Sequence, residues 1–476
     1  MIGLALLTLP SLLLCLRALN SKRISPFLTL TILIYVALWN IYPLLYIALY
    51  GTESEAVEQL LVNNPRYPEV VVITLIGVLL TLSMIVFQRS PFFKVICSGQ
   101  GDKEFSPKIT LILLVASIPA IMFLNVWLED VRGVGFNAVT GAVVFAQNEE
   151  LAQIGIIEAS MTFLVALALT CATSYRTFST HKKLIACMAW TVLGIHVLNN
   201  IEHGNRAVLL LPVVALLGSS LTNQKSFSLR RGILTFIILF LSVIVASTVA
   251  MAIGVVRVAS QDRISLDSIA QTYDHLISGQ AITDQVFLVA TGLYTKFDAY
   301  QTGVVLLEAE DSEPRRWSPI VSSLLSPIPR ALFPNKPAPT SITGEASGTP
   351  YRIAAEPFGE VQFGTVVPVS PVAVAVWEVG YPLLGLWIVA NVGYLMFMNS
   401  LLLCKSILHR ALGFTMLCLP TAEFIFAPIS SIVRDGLRNV IYVILLNLAI
   451  LSIVQIRNAL QECAAANRCE QRRQAV

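Results

Sequence analysis

The chain has 476 residues and a formal net charge of +3; 55% of its residues are hydrophobic and 13% are charged, with a mean hydropathy of +0.73. This much apolar sequence exceeds what a soluble core can use, so a water-soluble globular enzyme is excluded and a polytopic membrane protein is implied. The small positive balance fits contact with anionic lipid and carries no sign of nucleic-acid binding.

A helix needs about 20 apolar residues to cross a hydrocarbon core of roughly 30 Å. About eleven runs qualify, near 2–16, 26–50, 69–87, 109–128, 152–175, 184–200, 206–222, 233–256, 371–400, 411–430 and 438–456. The expected fold is therefore an all-α polytopic membrane bundle of about 11 transmembrane helices. It divides into a first bundle of about eight helices over 1–256, a polar segment over 257–370, a second bundle of about three helices over 371–456 and a basic tail over 457–476.

The first run has no cation before Arg17 and several after it, the reverse of a signal-peptide leader, so it reads as a retained helix. Alternate loops are basic: Arg17, Lys22 and Arg23; Arg89, Lys94, Lys103 and Lys108; Arg176, Lys182 and Lys183; Lys225, Arg230 and Arg231; Lys405 and Arg410; and the tail with Arg457, Arg468, Arg472 and Arg473. The loops between them carry Glu53, Glu55 and Glu58, then Glu129 and Asp130, then Glu149 and Glu150. Cationic loops stay on the cytoplasmic side. The N-terminus and the 257–370 segment are then outside and the tail inside. All eight cysteines fall in predicted helices or cytoplasmic segments, so the outer surface needs no disulfide.

The 257–370 segment holds Ile264, Ile269, Leu276, Phe287, Leu288, Leu293, Phe297, Val304 and Leu307 at roughly helical spacing, which predicts one or two amphipathic helices lying at the membrane surface over the bundle. Residues 319–339 are proline-rich and read as an ordered irregular loop. The chain shows no internal repeat, no phosphate-cradling glycine-lysine loop, no dinucleotide fingerprint, no CxxC pair and no HExxH. No metal or cofactor is called for. The chemistry falls to carboxylates, cations or the five histidines, acting on a substrate that brings its own leaving group.

Glu158, Glu378 and Glu423 interrupt predicted spans in their outer halves, with His196 at comparable depth. An ionised group there costs at least ~2.5 kcal/mol on insertion scales unless it meets a partner or a wet cavity. The four are candidates to line one outward-opening cavity, and the competing reading is hydrogen bonding between helices. Arg206 follows Glu202-His203-Gly204-Asn205 at an outer mouth, and Arg434 opens the short outer loop that ends at Arg438. A guanidinium keeps its charge and matches phosphate oxygens with a two-pronged fork. Arg206, Arg263, Arg330, Lys336 and Arg434 thus form a candidate diphosphate-binding set, against the alternative of interfacial snorkelling.

Gly204-Asn205-Arg206 before an apolar span, Pro329-Arg330 with Phe333-Pro334-Asn335-Lys336-Pro337, and Gly359-Glu360 followed by Phe363-Gly364 resemble O-antigen polysaccharide polymerases of the Wzy type. The length and the single large loop late in the chain fit as well; the motifs cover only about 206–364, with a weaker element at Arg434. The resemblance implies a GT-C-like bundle in a bacterial inner membrane, acting on its periplasmic face in O-antigen and lipopolysaccharide biosynthesis. Such an enzyme transfers a growing glycan from undecaprenyl diphosphate onto a new lipid-linked repeat unit, and it works beside a chain-length regulator protein. Cations would stabilise the departing diphosphate, and a carboxylate or histidine would take the acceptor proton. Glu360 is the first candidate for that base, His203 the second and Asp298 the third; pairing with an arginine is the structural alternative for Glu360. Three other readings remain open. One is an O-antigen ligase, for which only His275 is available in the long loop. Another is a metal-dependent glycosyltransferase using Glu129 and Asp130. The third is a flippase or transporter.

Overall fold

The computed structural model describes residues 8–19, 24–50, 66–87, 107–132, 151–178, 180–202, 271, 300–312, 317–325, 328, 333, 370–404, 406–418, 426–434, 436–448, 452 and 455. Among the described residues every regular element is helical. In chain order these are α1 (Leu9–Leu19), α2 (Pro26–Tyr50), α3 (Tyr67–Phe87), α4 (Pro107–Arg132), α5 (Leu151–Ser174) and α6 (Lys182–Glu202). They continue with α7 (Tyr300–Ser312), α8 (Ser318–Leu325), α9 (Pro371–Val379), α10 (Leu384–Leu403), α11 (Ile407–Cys418), α12 (429–434) and α13 (436–448).

Among the described residues four helices are long and apolar enough to cross a membrane: Pro26–Tyr50, Tyr67–Phe87, Pro107–Leu124 and Tyr381–Leu403. Their surfaces fit that reading. Ile109, Ile112, Val115, Met122, Phe123 and Val126 stand exposed along α4, where a soluble protein would place charge. Hydroxyls inside the spans bond back to their own helix: Thr31 to the Phe27 carbonyl at 2.8 Å, Thr81 to Gly77 at 2.8 Å, and Thr170 to Ala166 at 2.7 Å. A hydroxyl satisfied one turn back tolerates apolar surroundings. The chain is membrane-embedded.

The main core joins α1, α2, α3, α5, α6, α10 and α11 through residues such as Leu28, Val36, Leu82, Ala168, Val192, Leu395 and Phe414. Close approach is set by small residues. A Cβ placed on Gly77 of α3 would come within 2.9 Å of the Trp387 ring of α10. Gly77→Ala should therefore lower the melting temperature in detergent, through about 1–3 kcal/mol of overpacking; an unchanged melting curve would show that Trp387 can retreat.

A smaller core joins the end of α2, the start of α3, α7 and α9. Leu44, Tyr46, Tyr67, Val70, Tyr300, Val304, Leu306, Leu307, Ala373 and Trp377 are among its residues. The expected surface helix of the polar segment is in part a built-in element, because Tyr300, Val304 and Leu307 are buried against the bundle. Arg66, just before α3, donates to the Leu307 carbonyl and ties the two further.

Three expectations change. The run 371–400 is two helices and not one, because Pro371 starts α9, Ser370 caps it by accepting the Ala373 N–H, and Gly380 ends it at a φ of 77° that favours glycine. The proline-rich 319–339 stretch begins as helix α8, since Pro319 sits in the first turn, where no N–H is required. Cys404, which the sequence places in a helix or a cytoplasmic segment where a free thiol is expected, is disulfide-bonded.

Candidate functional site

Before α12 the chain runs through Phe426-Ala427-Pro428, which is not helical. Pro428 carries no N–H, and the neighbouring backbone groups need partners, because nothing in a membrane interior replaces them. Side chains from α9 and α10 provide them. The Ala427 carbonyl accepts from Trp387 Nε1 at 2.9 Å and from Asn391 Nδ2 at 3.3 Å, while the Ala427 N–H donates to Asn391 Oδ1 at 3.2 Å. Glu378 takes the next amides: Ile429 N–H donates to Oε2 at 3.1 Å, and Ser430 N–H reaches both carboxylate oxygens at 3.4 Å. Asn391 and Glu378 are both fully buried, at 0% exposure.

The result is a polar clasp on the non-helical residues 426–428 and the first turn of α12. One end of α9 is bound by Thr74 and Ser370, whose hydroxyls lie 3.2 Å apart. The other end carries Glu378. α9 is thus wedged between α3 and α12, with residues 371–379 all buried.

Arg434, of the candidate diphosphate set, lies half-buried in α12. Of the other candidates, His196 lies half-buried in α6, and Glu158 lies in α5 with its side chain outside the described residues. Arg206, Arg263, Arg330, Lys336, Glu423, Glu360, His203 and Asp298 lie outside the described residues. Among the described residues no group of three or more histidine, cysteine or acidic side chains is arranged to hold a metal ion.

No family model, curated protein or solved structure matches this chain. The family reading therefore rests on the sequence motifs alone.

A second polar feature lies where α7 meets α2. Residues Val36–Ile41 form a π-helical turn, a local widening often found at functional sites. There the Asn40 carbonyl accepts the Tyr300 hydroxyl at 3.3 Å, and Tyr300 packs edge-on to Tyr67 at 6.0 Å between ring centroids. Buried amide nitrogens of Asn40 and Asn439 have no hydrogen-bond partner among the described residues.

Asn391, Trp387, Asn40 and Tyr300 are functional candidates that the sequence reading does not single out. Asn391 and Asn40 are visible as amides inside apolar runs, the same signal that marks Glu378. Nothing in the sequence points to Trp387 or Tyr300, whose polar tips serve only once a partner backbone is placed beside them.

Proposed function

We propose that this protein is a lipid-linked glycosyltransferase of a bacterial inner membrane, with about 11 spans in a GT-C-like bundle. It would polymerise undecaprenyl-diphosphate-linked oligosaccharide repeat units at the periplasmic face. The observation that carries the proposal is the join between the polar segment and the bundle: α7 packs into the core against α3 and α9, and α9 in turn holds the helix that carries Arg434. Residues of the long loop and a bundle cation are thereby tied to one short structural unit, as a site shared by loop and bundle requires.

In this reading Arg206, Arg330, Lys336, Arg434 and Arg263 hold the donor diphosphate and stabilise its departing charge, the effect that is often the largest catalytic term. Glu360, or else His203 or Asp298, accepts the proton of the acceptor hydroxyl and adds roughly 10²–10⁴ in rate. A donor already activated as a diphosphate needs no nucleotide.

One observation favours a second reading. Interrupted helices clasped inside a membrane bundle also build the substrate sites of transporters, so a flippase for the same lipid is the competing function. The two separate in one experiment. Purified protein given lipid-linked repeat units, without added metal or nucleotide, should produce longer lipid-linked glycans. Movement of the units across vesicles without elongation would establish the flippase instead. Arg330→Lys keeps charge but loses the fork, so elongation should fall roughly 10- to 100-fold for a charged hydrogen bond worth ~1.5–3 kcal/mol. Normal polymer length from Arg330→Ala would remove Arg330 from the site.

A further inference from the structure

Helix α12 begins at residue 429, and the amides of its first turn have no partner within their own helix. Its position is set from outside, at its first turn and at the residues just before it. Three side chains fix that region. Trp387 and Asn391 of α10 bind Ala427 through both its carbonyl and its N–H, and Glu378 of α9 binds the amides of Ile429 and Ser430. These bonds come from two different helices, so they restrain the segment against both rotation and sliding. Because α12 is a single rigid piece from 429 to 434, any shift at the clasp carries over to Arg434. A buried carboxylate with an amide and an indole is a costly way to hold two helices together, since well-packed apolar residues often do so as well or better. It makes sense where the position of one backbone segment matters.

We propose that Glu378, Asn391 and Trp387 are positioning residues for Arg434, fixing its guanidinium where it meets the diphosphate of the lipid-linked donor. The inference rests on the proposed function, because that reading gives Arg434 its ligand. The three residues touch neither donor nor acceptor. They act through the backbone of residues 427–430.

The test measures retention of radiolabelled undecaprenyl diphosphate by the full-length protein in lipid nanodiscs, with and without Arg434. Glu378→Gln keeps the volume and one acceptor oxygen, and Trp387→Phe keeps most of the ring but removes the N–H that reaches Ala427. Having two variants guards against one that does not fold. Each should weaken diphosphate binding about 3- to 10-fold in the wild-type background and have no further effect once Arg434→Ala is present, the non-additivity expected of groups acting through one another. Amide exchange at Ala427 and Ile429 should quicken in the same variants whether or not Arg434 is intact. Losses that multiply with that of Arg434→Ala, or variants that bind as wild type, would overturn the positioning role and leave the diphosphate reading in place. Wild-type binding by Arg434→Ala itself would instead remove Arg434 from the diphosphate site and overturn both.

Discussion

Glu378→Ala should destabilise the protein by about 2–5 kcal/mol, because it leaves the buried amides of Ile429 and Ser430 without their acceptor. The effect is large because Glu378 serves two elements at once. It closes the C-terminal end of α9, every residue of which is buried, and it holds the first amides of α12. Removing it therefore leaves a cavity as well as unpaired donors. Glu378→Gln keeps one acceptor oxygen and nearly the same volume, and its cost should be well under half that of the alanine variant. The comparison is made by thermal unfolding of purified protein in detergent, with retained secondary structure at low temperature as the control. If alanine and glutamine proved equally mild, the carboxylate would not be the group that satisfies these amides, and the clasp would rest on Asn391 and Trp387.

Hydropathy makes much of the described bundle legible, because a span is a composition averaged over some 20 residues and the average survives local irregularity. The runs at 26–50, 69–87 and 109–128 coincide with helices long and apolar enough to cross. The same averaging hides the break at 371–400, although the punctuation is present: Ser370-Pro371 is a helix start, and Gly380-Tyr381-Pro382 is a stop and restart. The acid at 378 stands out as polar in an apolar run, but its partners do not. They are backbone amides of a segment about fifty residues later, and which amides a helix leaves unpaired is fixed by where it starts. Asn391 escapes notice because a neutral amide barely shifts the hydropathy of a long run, although within a membrane it needs partners as surely as a charge does. The π-helical turn at Val36–Ile41 leaves no mark of any kind in the sequence, since it differs from the α-helix around it only by one residue in the register of its hydrogen bonds.

Gly303→Leu should abolish polymer formation while leaving the membrane bundle folded. A Cβ on Gly303 would lie 2.7 Å from Val70 Cγ1, 3.1 Å from Ser370 Cβ and 3.2 Å from Ala373 Cβ. The last two atoms are fixed to the backbone of α9 and its cap, and a valine in a helix has one strongly preferred rotamer, so none of the three neighbours retreats cheaply. Alanine is a mixed test, because the overpacking of about 1–3 kcal/mol is partly offset by the roughly 1 kcal/mol that alanine gains over glycine inside a helix. Leucine resolves this: its side chain has no space between α7, α3 and α9, so α7 must separate. Tyr300 then parts from Asn40 and Tyr67, and Val304, Leu306 and Leu307 leave the smaller core. The larger core contains no residue of α7, so the bundle itself should survive. Two measurements decide the outcome. Trypsin should cut more rapidly at Arg315 and Arg316, just beyond α7, while the purified variant keeps its helical signal; elongation of lipid-linked repeat units should be lost at the same time. A Gly303→Leu protein that resists trypsin and builds polymer of normal length would show that α7 does not dock through this contact, and would withdraw the join between loop and bundle on which the proposed function stands.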